Sequence, residues 1–299
     1  MTKTHKDLEW TGERYVPQLR GGIALEHLHR YAFASSFVAD KDVLDIASGE
    51  GYGSEILGKI AKSVIGVDVD EASVLHANSK YGSKNISFTS GDAYAIPLPN
   101  EAVDVVVSFE TIEHVEEHET MVREFKRVMK PDGLVVISSP ERGAYNKQNT
   151  HENPYHKKEL DLEEFNTLLK RNFRNVRIFG QRHLSGSSIF PGNLEVENTT
   201  TFQFSDLPKN LCPVKGLSKP LYLLALCSDQ ELPVTDGSFC NQSIEETDFA
   251  AAMICRIAES DSEKIEILIK KIKEMQSSLS WRLTSPLRNL RDWLWSIGE

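Results

Sequence analysis

Basic residues are scarce relative to acidic ones: 34 Lys and Arg stand against 44 Asp and Glu, a formal charge of −10. A general nucleic-acid binder carries the opposite excess, so no nucleic-acid partner is expected. Cysteine is sparse as well. Cys212, Cys227, Cys240 and Cys255 are scattered with no CxxC pair. That excludes a disulfide scaffold and a paired-thiolate metal site, and it predicts reduced thiols in a cytoplasmic setting. No apolar run approaches the roughly 20 residues that cross a bilayer. The opening MTKTHKDLEW has no apolar core of a signal peptide, so no secretory signal is expected. What is present is 299 residues, 40% of them hydrophobic. That suffices for a full core and exceeds one average domain, so a central domain with appendages is expected.

One stretch is dense in glycine. Val43 to Leu57 reads VLDIASGEGYGSEIL: an apolar strand ending in Asp45, three close-set glycines (Gly49, Gly51, Gly53), then an amphipathic run. This is a strand, a tight turn and a helix start. Glycine is needed where the backbone bends sharply or lets a ligand lie against it. A helix start adds N–H groups and partial positive charge. The spacing is not the dinucleotide fingerprint GxGxxG, because counting from Gly49 puts Ser54 at the third glycine position. Downstream, Ser63 to Asp70 (SVIGVDVD) is a second apolar strand tipped with acid. Asp68 there closes a βαβ unit and can accept both hydroxyls of a ribose. Its alternative role is a helix N-cap, which Asp also fills well.

Strands and helices continue to alternate. Strands are expected at Asn85–Thr89, Val103–Phe109, Leu134–Ser138, Asn175–Phe179 and Pro220–Cys227. Glu119–Met129 has helical spacing and stops at Lys130-Pro131-Asp132-Gly133. Asp161–Arg171 opens with a capping-box-like pair, Asp161 and Glu164. The pattern predicts a doubly wound α/β sheet with its ligand at the carboxyl ends of the strands.

A strand-terminal acid, xxxGxGxG and a second acid-tipped strand resemble the class I S-adenosylmethionine (SAM) methyltransferases, over roughly Val43 to Cys227. The resemblance implies a seven-stranded Rossmann-like sheet, its last strand inserted antiparallel, and SAM as cofactor. It also implies roles. Asp45, Ser48, Gly49 and Gly51 would cradle the methionine part, Asp68 would hold the ribose, and Val69 would lie against the adenine. Asp92 would bond the adenine amino group with Ala93 beside it. Glu110, ending the fourth strand, would contact substrate or the cofactor amine.

Chemistry is expected after that fourth strand. Glu110-Thr111-Ile112-Glu113-His114 places two acids and a histidine at i, i+3 and i+4, which share one face if the turn is helical. In one reading His114 is a general base oriented by Glu113. In another, Glu110, Glu113 and His114 ligate a divalent cation such as magnesium, which lowers a hydroxyl's pKa, as an ExxEH element does in some related O-methyltransferases. In a third, the run only starts a helix. The polar segment Glu141–Lys158 is expected to be a substrate loop, with Tyr145, Asn153 and Tyr155 as sugar contacts and His156 as a second base or ligand.

The remaining segments are appendages. Residues 1–40 form an extension over the cofactor pocket, with a helix whose apolar face is Leu25, Leu28, Ala32 and Phe33, and with Arg14 or Arg30 facing the cofactor carboxylate. Residues 41–230 are the catalytic domain, with 184–219 an irregular insertion, and 231–260 a linker. Within 261–299, Ile265, Leu268, Ile272, Met275 and Leu279 form a short heptad seam suited to self-association. The helix from Pro286 carries Trp293 and Trp295, suited to a membrane interface or a partner groove. TGERYVP with EHLHRY resembles methyltransferases of bacterial surface polysaccharide assembly, and SWRLTSPLR resembles tails of glycan-assembly enzymes. These resemblances imply a sugar hydroxyl as acceptor and work at the inner face of the cytoplasmic membrane. The alternatives are a small hydroxylated metabolite, such as a quinone precursor, and a non-catalytic scaffold.

Overall fold

A computed structural model describes residues 22–148, 153–183, 201–204, 211–214, 217, 219–235, 237, 238 and 240. Arg14, the heptad seam and the C-terminal tryptophans lie outside the described residues. In chain order the elements are α1 (Gly22–Ser35), β1 (Asp42–Ile46), α2 (Tyr52–Gly58), β2 (Ser63–Asp68), α3 (Glu71–Tyr81), β3 (Ile86–Ser90) and β4 (Val103–Ser108). A 3-10 turn at Ile112–His114 precedes α4 (His118–Val128), β5 (Met129–Pro140), α5 (Arg142–Gln148), α6 (Leu162–Asn172) and β6 (Asn175–Gln181). The hairpin β7 (Thr201–Phe204) and β8 (Leu211–Val214) then leads to β9 (Tyr222–Ser228).

Seven strands form one sheet in the order β3-β2-β1-β4-β5-β9-β6. The neighbours from β3 to β5 run parallel. The last strand, β9, is inserted antiparallel to both β5 and β6, as expected. Chain order reverses between the adjacent strands β1 and β4, so the crevice for a ligand opens above their carboxyl ends. Both faces of the sheet are covered, which is why the central strands read as unbroken apolar runs. On β4, Val106 packs with Phe125 of α4 and Phe165 of α6. Val105 and Val107 pack on the other face with Tyr31 of α1, Leu57 of α2 and Ala77 of α3. All seven residues of β9 are buried. Helix α6 carries the expected capping box, Asp161 and Glu164 each accepting the other's backbone N–H.

Four expectations need correction. Helix α1 buries Arg30, Tyr31, Phe33 and Ala34, not the stripe Leu25–Leu28–Ala32; Leu28 is 40% exposed. Periodicity could not show this, because arginine is buried only where it is paired, and the hydrogen-bond partner here, Gln181, lies 151 residues away. The Lys130–Gly133 stop lies inside β5: β4 pairs Val103 with Met129 and then Val105 with Leu134, so the extra residues are absorbed as a bulge. The loop after β5 starts as helix α5. The insertion 184–219, read as irregular, contains the β7–β8 hairpin, registered from Thr201↔Val214 to Phe204↔Leu211.

Candidate functional site

The glycine turn is pinned from three sides. Gly51 has φ +97°, and a Cβ built there would sit 2.8 Å from the Ala77 methyl and 3.0 Å from the Phe88 ring. Gly49 (φ +54°) donates its N–H to Asp68 Oδ2 at 2.7 Å, and Asp70 N–H reaches Asp68 Oδ1 at 2.9 Å. The carboxylate at the tip of β2 therefore ties the turn to the second strand. Asp68 is not the helix cap; Asp70 is, accepting Ala72 N–H. Beside Asp68, Val69 is 74% exposed, an aliphatic surface at the place expected for adenine. Asp92 is exposed and accepts Tyr94 N–H at 2.8 Å in a turn that holds Ala93 at the next strand's end. Ser48 is buried, and its Oγ has no hydrogen-bond partner among the described residues.

Two buried acids support the turn from within the protein. Asp45 is fully buried, and its oxygens accept from Ser54 Oγ at 2.6 Å and Tyr31 Oη at 3.1 Å. It braces the turn from beneath rather than lining the crevice. Glu50 was not singled out, yet it is buried inside the turn and takes Lys80 Nζ at 2.6 Å, His76 Nε2 at 2.9 Å and Tyr81 Oη at 2.8 Å. Helix α3 is thereby fastened to the glycine turn. No sequence signal marks Glu50, because its partners come from a different element.

Asp45 carries a pH dependence. Burial pushes its carboxyl up to about 7, against the Ser54 and Tyr31 hydrogen bonds, with Asp68 adding to the rise. An unfolded chain releases that proton near pH 4. The folded protein thus binds more protons between about pH 4 and 7, and stability falls as pH rises through that window, by at most about 4 kcal/mol. Asp45→Asn should flatten this fall. Urea midpoints across the window measure it, and an unchanged slope would show that Asp45 does not set it.

At the end of β4, Glu110 has φ +50°, a conformation that costs a non-glycine residue energy. It is held by Ser138, whose Oγ accepts Glu110 N–H at 3.0 Å and donates to Glu110 Oε1 at 2.6 Å. Arg30 Nη1 lies 3.8 Å from the same oxygen and donates to Gln181 Oε1 at 2.8 Å. Its guanidinium also stacks 4.7 Å from the Tyr222 ring. Burial alone would lower the Arg30 pKa, but Glu110 and its neighbours outweigh that and hold it above the ordinary value. Arg30 Nε and Nη2 are buried with no hydrogen-bond partner among the described residues.

Glu110 is bonded to Ser138 with Arg30 beside it, and the group whose ligand atoms converge does not include it, unlike the three-residue set read from the sequence. The chain leaves β4 through a left-handed residue and only then enters the 3-10 turn. His156 takes the place of Glu110: Glu113, His114 and His156 have ligand atoms all within 4.8 Å of one another. The loop is clipped to the turn, with Lys157 and Lys158 N–H both donating to the Glu113 carbonyl (2.8 and 3.2 Å). Glu113, expected to orient His114, places its Oε1 3.8 Å from His114 Nε2. The Tyr155 carbonyl also orients that ring, accepting from Nδ1 at 3.1 Å. Glu159 does the same for His156 Nδ1 at 2.7 Å. Glu159 was missed, although its i+3 spacing from His156 was a usable signal. Tyr145 stacks on His156, 5.3 Å between rings at 29°, and Asn153 Oδ1 accepts Tyr155 N–H at 3.1 Å. Tyr155 is 52% exposed. The two polar segments singled out in the sequence thus meet at one place.

Residues 44–137 match the family described as a methyltransferase domain. The chain is 36% identical over 170 residues to a Mycolicibacterium smegmatis protein named "Probable S-adenosylmethionine-dependent methyltransferase", covering 54% of this chain and 64% of that relative. A Mycobacterium tuberculosis protein with the same kind of name is 35% identical over 180 residues, covering 59% and 65%. The chain thus spans just under two thirds of these curated relatives. A chain in the solved complex containing the Haloferax volcanii Trm112 methyltransferase activator aligns with a TM-score of 0.50 at 15% identity, over 71% of this chain and 91% of that one. The matched residues 44–137 run from β1 into β5 of the seven-stranded sheet.

Proposed function

We propose that this chain transfers the methyl group of SAM to a hydroxyl, and that the hydroxyl belongs to a sugar of a cell-surface polysaccharide or its precursor. The observation that carries the reading is the meeting of Glu113 and His114 with Tyr145, Tyr155 and His156 above the strand ends that flank the glycine turn. Aromatic faces beside imidazoles and carboxylates suit a polyhydroxylated ligand, which stacks its apolar faces and bonds at its edges. The cofactor lies with its ribose on Asp68 and its adenine on Val69. Glu110 takes the cofactor amine, with the buried Arg30 guanidinium behind it at 3.8 Å.

Transfer is an in-line displacement. The acceptor oxygen forms a bond to the methyl carbon, the carbon–sulfur bond breaks, and its electron pair stays on sulfur, leaving a neutral thioether. The hydroxyl proton departs at the Glu113–His114–His156 cluster. Holding the two reactants in line supplies much of the acceleration. The test is incubation of purified protein with methyl-labelled SAM and oligosaccharide acceptors, followed by sugar fractionation. Label in a sugar fraction is expected. Label only in small aromatic hydroxyl compounds would overturn the sugar assignment. Cofactor binding with no transfer to either class would make the chain a scaffold.

A further inference from the structure

We propose that Tyr94 is a positioning residue: its hydroxyl ties the turn that carries Asp92 to the start of α4, so that a bound cofactor steadies the segment bearing Glu113 and His114. This role rests on the methyl-transfer reading, with the adenine at Asp92. Two hydrogen bonds carry it. Tyr94 Oη accepts the backbone N–H of Glu116 at 2.8 Å and of Glu117 at 3.1 Å. Tyr94 N–H donates to Asp92 Oδ1 at 2.8 Å, and Ala95 N–H donates to the Asp92 carbonyl at 3.0 Å. One residue therefore holds Asp92 by its backbone and the approach to α4 by its side chain.

The segment between β4 and α4 is fastened at both ends. At its first end Glu110 is bonded to Ser138. At its other end Glu116 and Glu117 are exposed, and the Glu117 side chain does not cap α4. The Tyr94 hydroxyl holds their N–H groups from another part of the chain. Its ring packs against the core cluster that contains Ile112, Val115 and Met121. The same turn is anchored further along α4. Ile96 N–H donates to Glu124 Oε2 at 2.9 Å, and Arg127 Nη2 donates to the Ile96 carbonyl at 2.9 Å. The Tyr94 bonds extend that seam to the end of α4 nearest Glu113 and His114.

Exposure decides what these bonds do. An N–H released by Tyr94 at exposed residues is taken up by water, so the two bonds add little to stability. Their effect is on position. The segment has two arrangements, held at Tyr94 or released to water. A cofactor amino group on Asp92 fixes the carboxylate that takes Tyr94 N–H, and with it the direction of the ring. Cofactor binding then favours the held arrangement. By linkage, holding the segment strengthens cofactor binding by the same factor. Phenylalanine at this position keeps the ring and removes the acceptor.

Amide exchange reads this coupling without a methyl acceptor. The full chain and Tyr94→Phe are compared with and without saturating SAM, following the Glu116 and Glu117 N–H groups by NMR and SAM affinity by calorimetry. In the native chain SAM should slow their exchange about tenfold, within the usual range of coupling between sites. In Tyr94→Phe the slowing should fall below about twofold and SAM affinity should drop by about tenfold, the same factor. The urea midpoint should barely move, which a merely structural bond would not combine with lost coupling. Glu116→Pro removes one donor from the opposite side. Val115 before it is already extended, with φ −113° and ψ 149°, as a residue preceding proline must be. Its Glu117 slowing should lie between the other two, and this variant decides should Tyr94→Phe not fold. Equal slowing in all folded chains, or none in the native chain with SAM bound, overturns the role of Tyr94. If calorimetry finds no SAM binding to the native chain, the methyl-transfer reading itself fails.

Discussion

Asp68→Ala is expected to weaken SAM binding by about 100-fold or more, the largest loss of affinity from any single change in the cradle. Two effects combine. The proposed bonds to the ribose hydroxyls are charge-assisted, each worth about 1.5–3 kcal/mol when an ionised acceptor is removed. The same carboxylate accepts Gly49 N–H at 2.7 Å and Asp70 N–H at 2.9 Å. Removing it also frees the glycine turn from β2 before any cofactor arrives. Asp68→Asn separates the two effects. Its one amide oxygen can still hold Gly49, so the turn stays in place while the ribose loses the charged acceptor, and the loss should be smaller. Calorimetry with SAM and with S-adenosylhomocysteine gives both affinities. Affinity within about threefold of the native value for Asp68→Ala would remove the ribose assignment and, with it, the orientation of the cofactor in the crevice.

Much of this architecture is written locally. The sheet was legible because the central strands are buried on both faces and announce themselves as apolar runs with a polar residue at or next to the end, as Asp45, Asp68 and Ser108 are. The capping box of α6 was legible because both partners sit within one helical turn. The glycine turn and its tie to the second strand were legible because Gly49, Gly51 and Asp68 have a fixed spacing. What escaped was everything set by distant partners. The burial of Arg30 depends on Gln181 and Glu110, and the role of Glu50 on His76, Lys80 and Tyr81. The grouping of Glu110 with Glu113 and His114 missed the bond Glu110 makes to Ser138, 28 residues away in the chain. Its replacement, His156, belonged to a separate candidate segment. The hydrogen bonds from Lys157 and Lys158 to the Glu113 carbonyl, and from His114 to the Tyr155 carbonyl, reveal that the segments touch. Strand polarity placed the site, and long-range contacts chose its members.

Gly53→Ala should be the most damaging small substitution to stability, costing about 3 kcal/mol, the upper end of overpacking costs. Gly53 is helical, so backbone conformation is not the reason. A Cβ there would lie 2.0 Å from the Tyr31 ring. The ring cannot yield easily: Tyr31 Oη is held by Asp45 at 3.1 Å, and the ring is flanked edge-on by Tyr52 at 5.4 Å and Phe109 at 5.0 Å. Relief requires α1 to move away from α2, which would carry Arg30 off Glu110 and unsettle the cradle from the opposite side. Gly49→Ala makes the contrast. Nothing lies within 4 Å of its Cβ position, and the cost is only the left-handed φ of +54°, about 1–2 kcal/mol. A double-mutant cycle isolates the clash, because residues in direct contact are not additive. In a Tyr31→Ala background the space is open, and adding Gly53→Ala should cost less than about 1 kcal/mol by urea unfolding. If the alanine costs the same in both backgrounds, the Tyr31 ring is not what requires glycine at this position, and the packing of α1 against the turn must be assigned to other contacts.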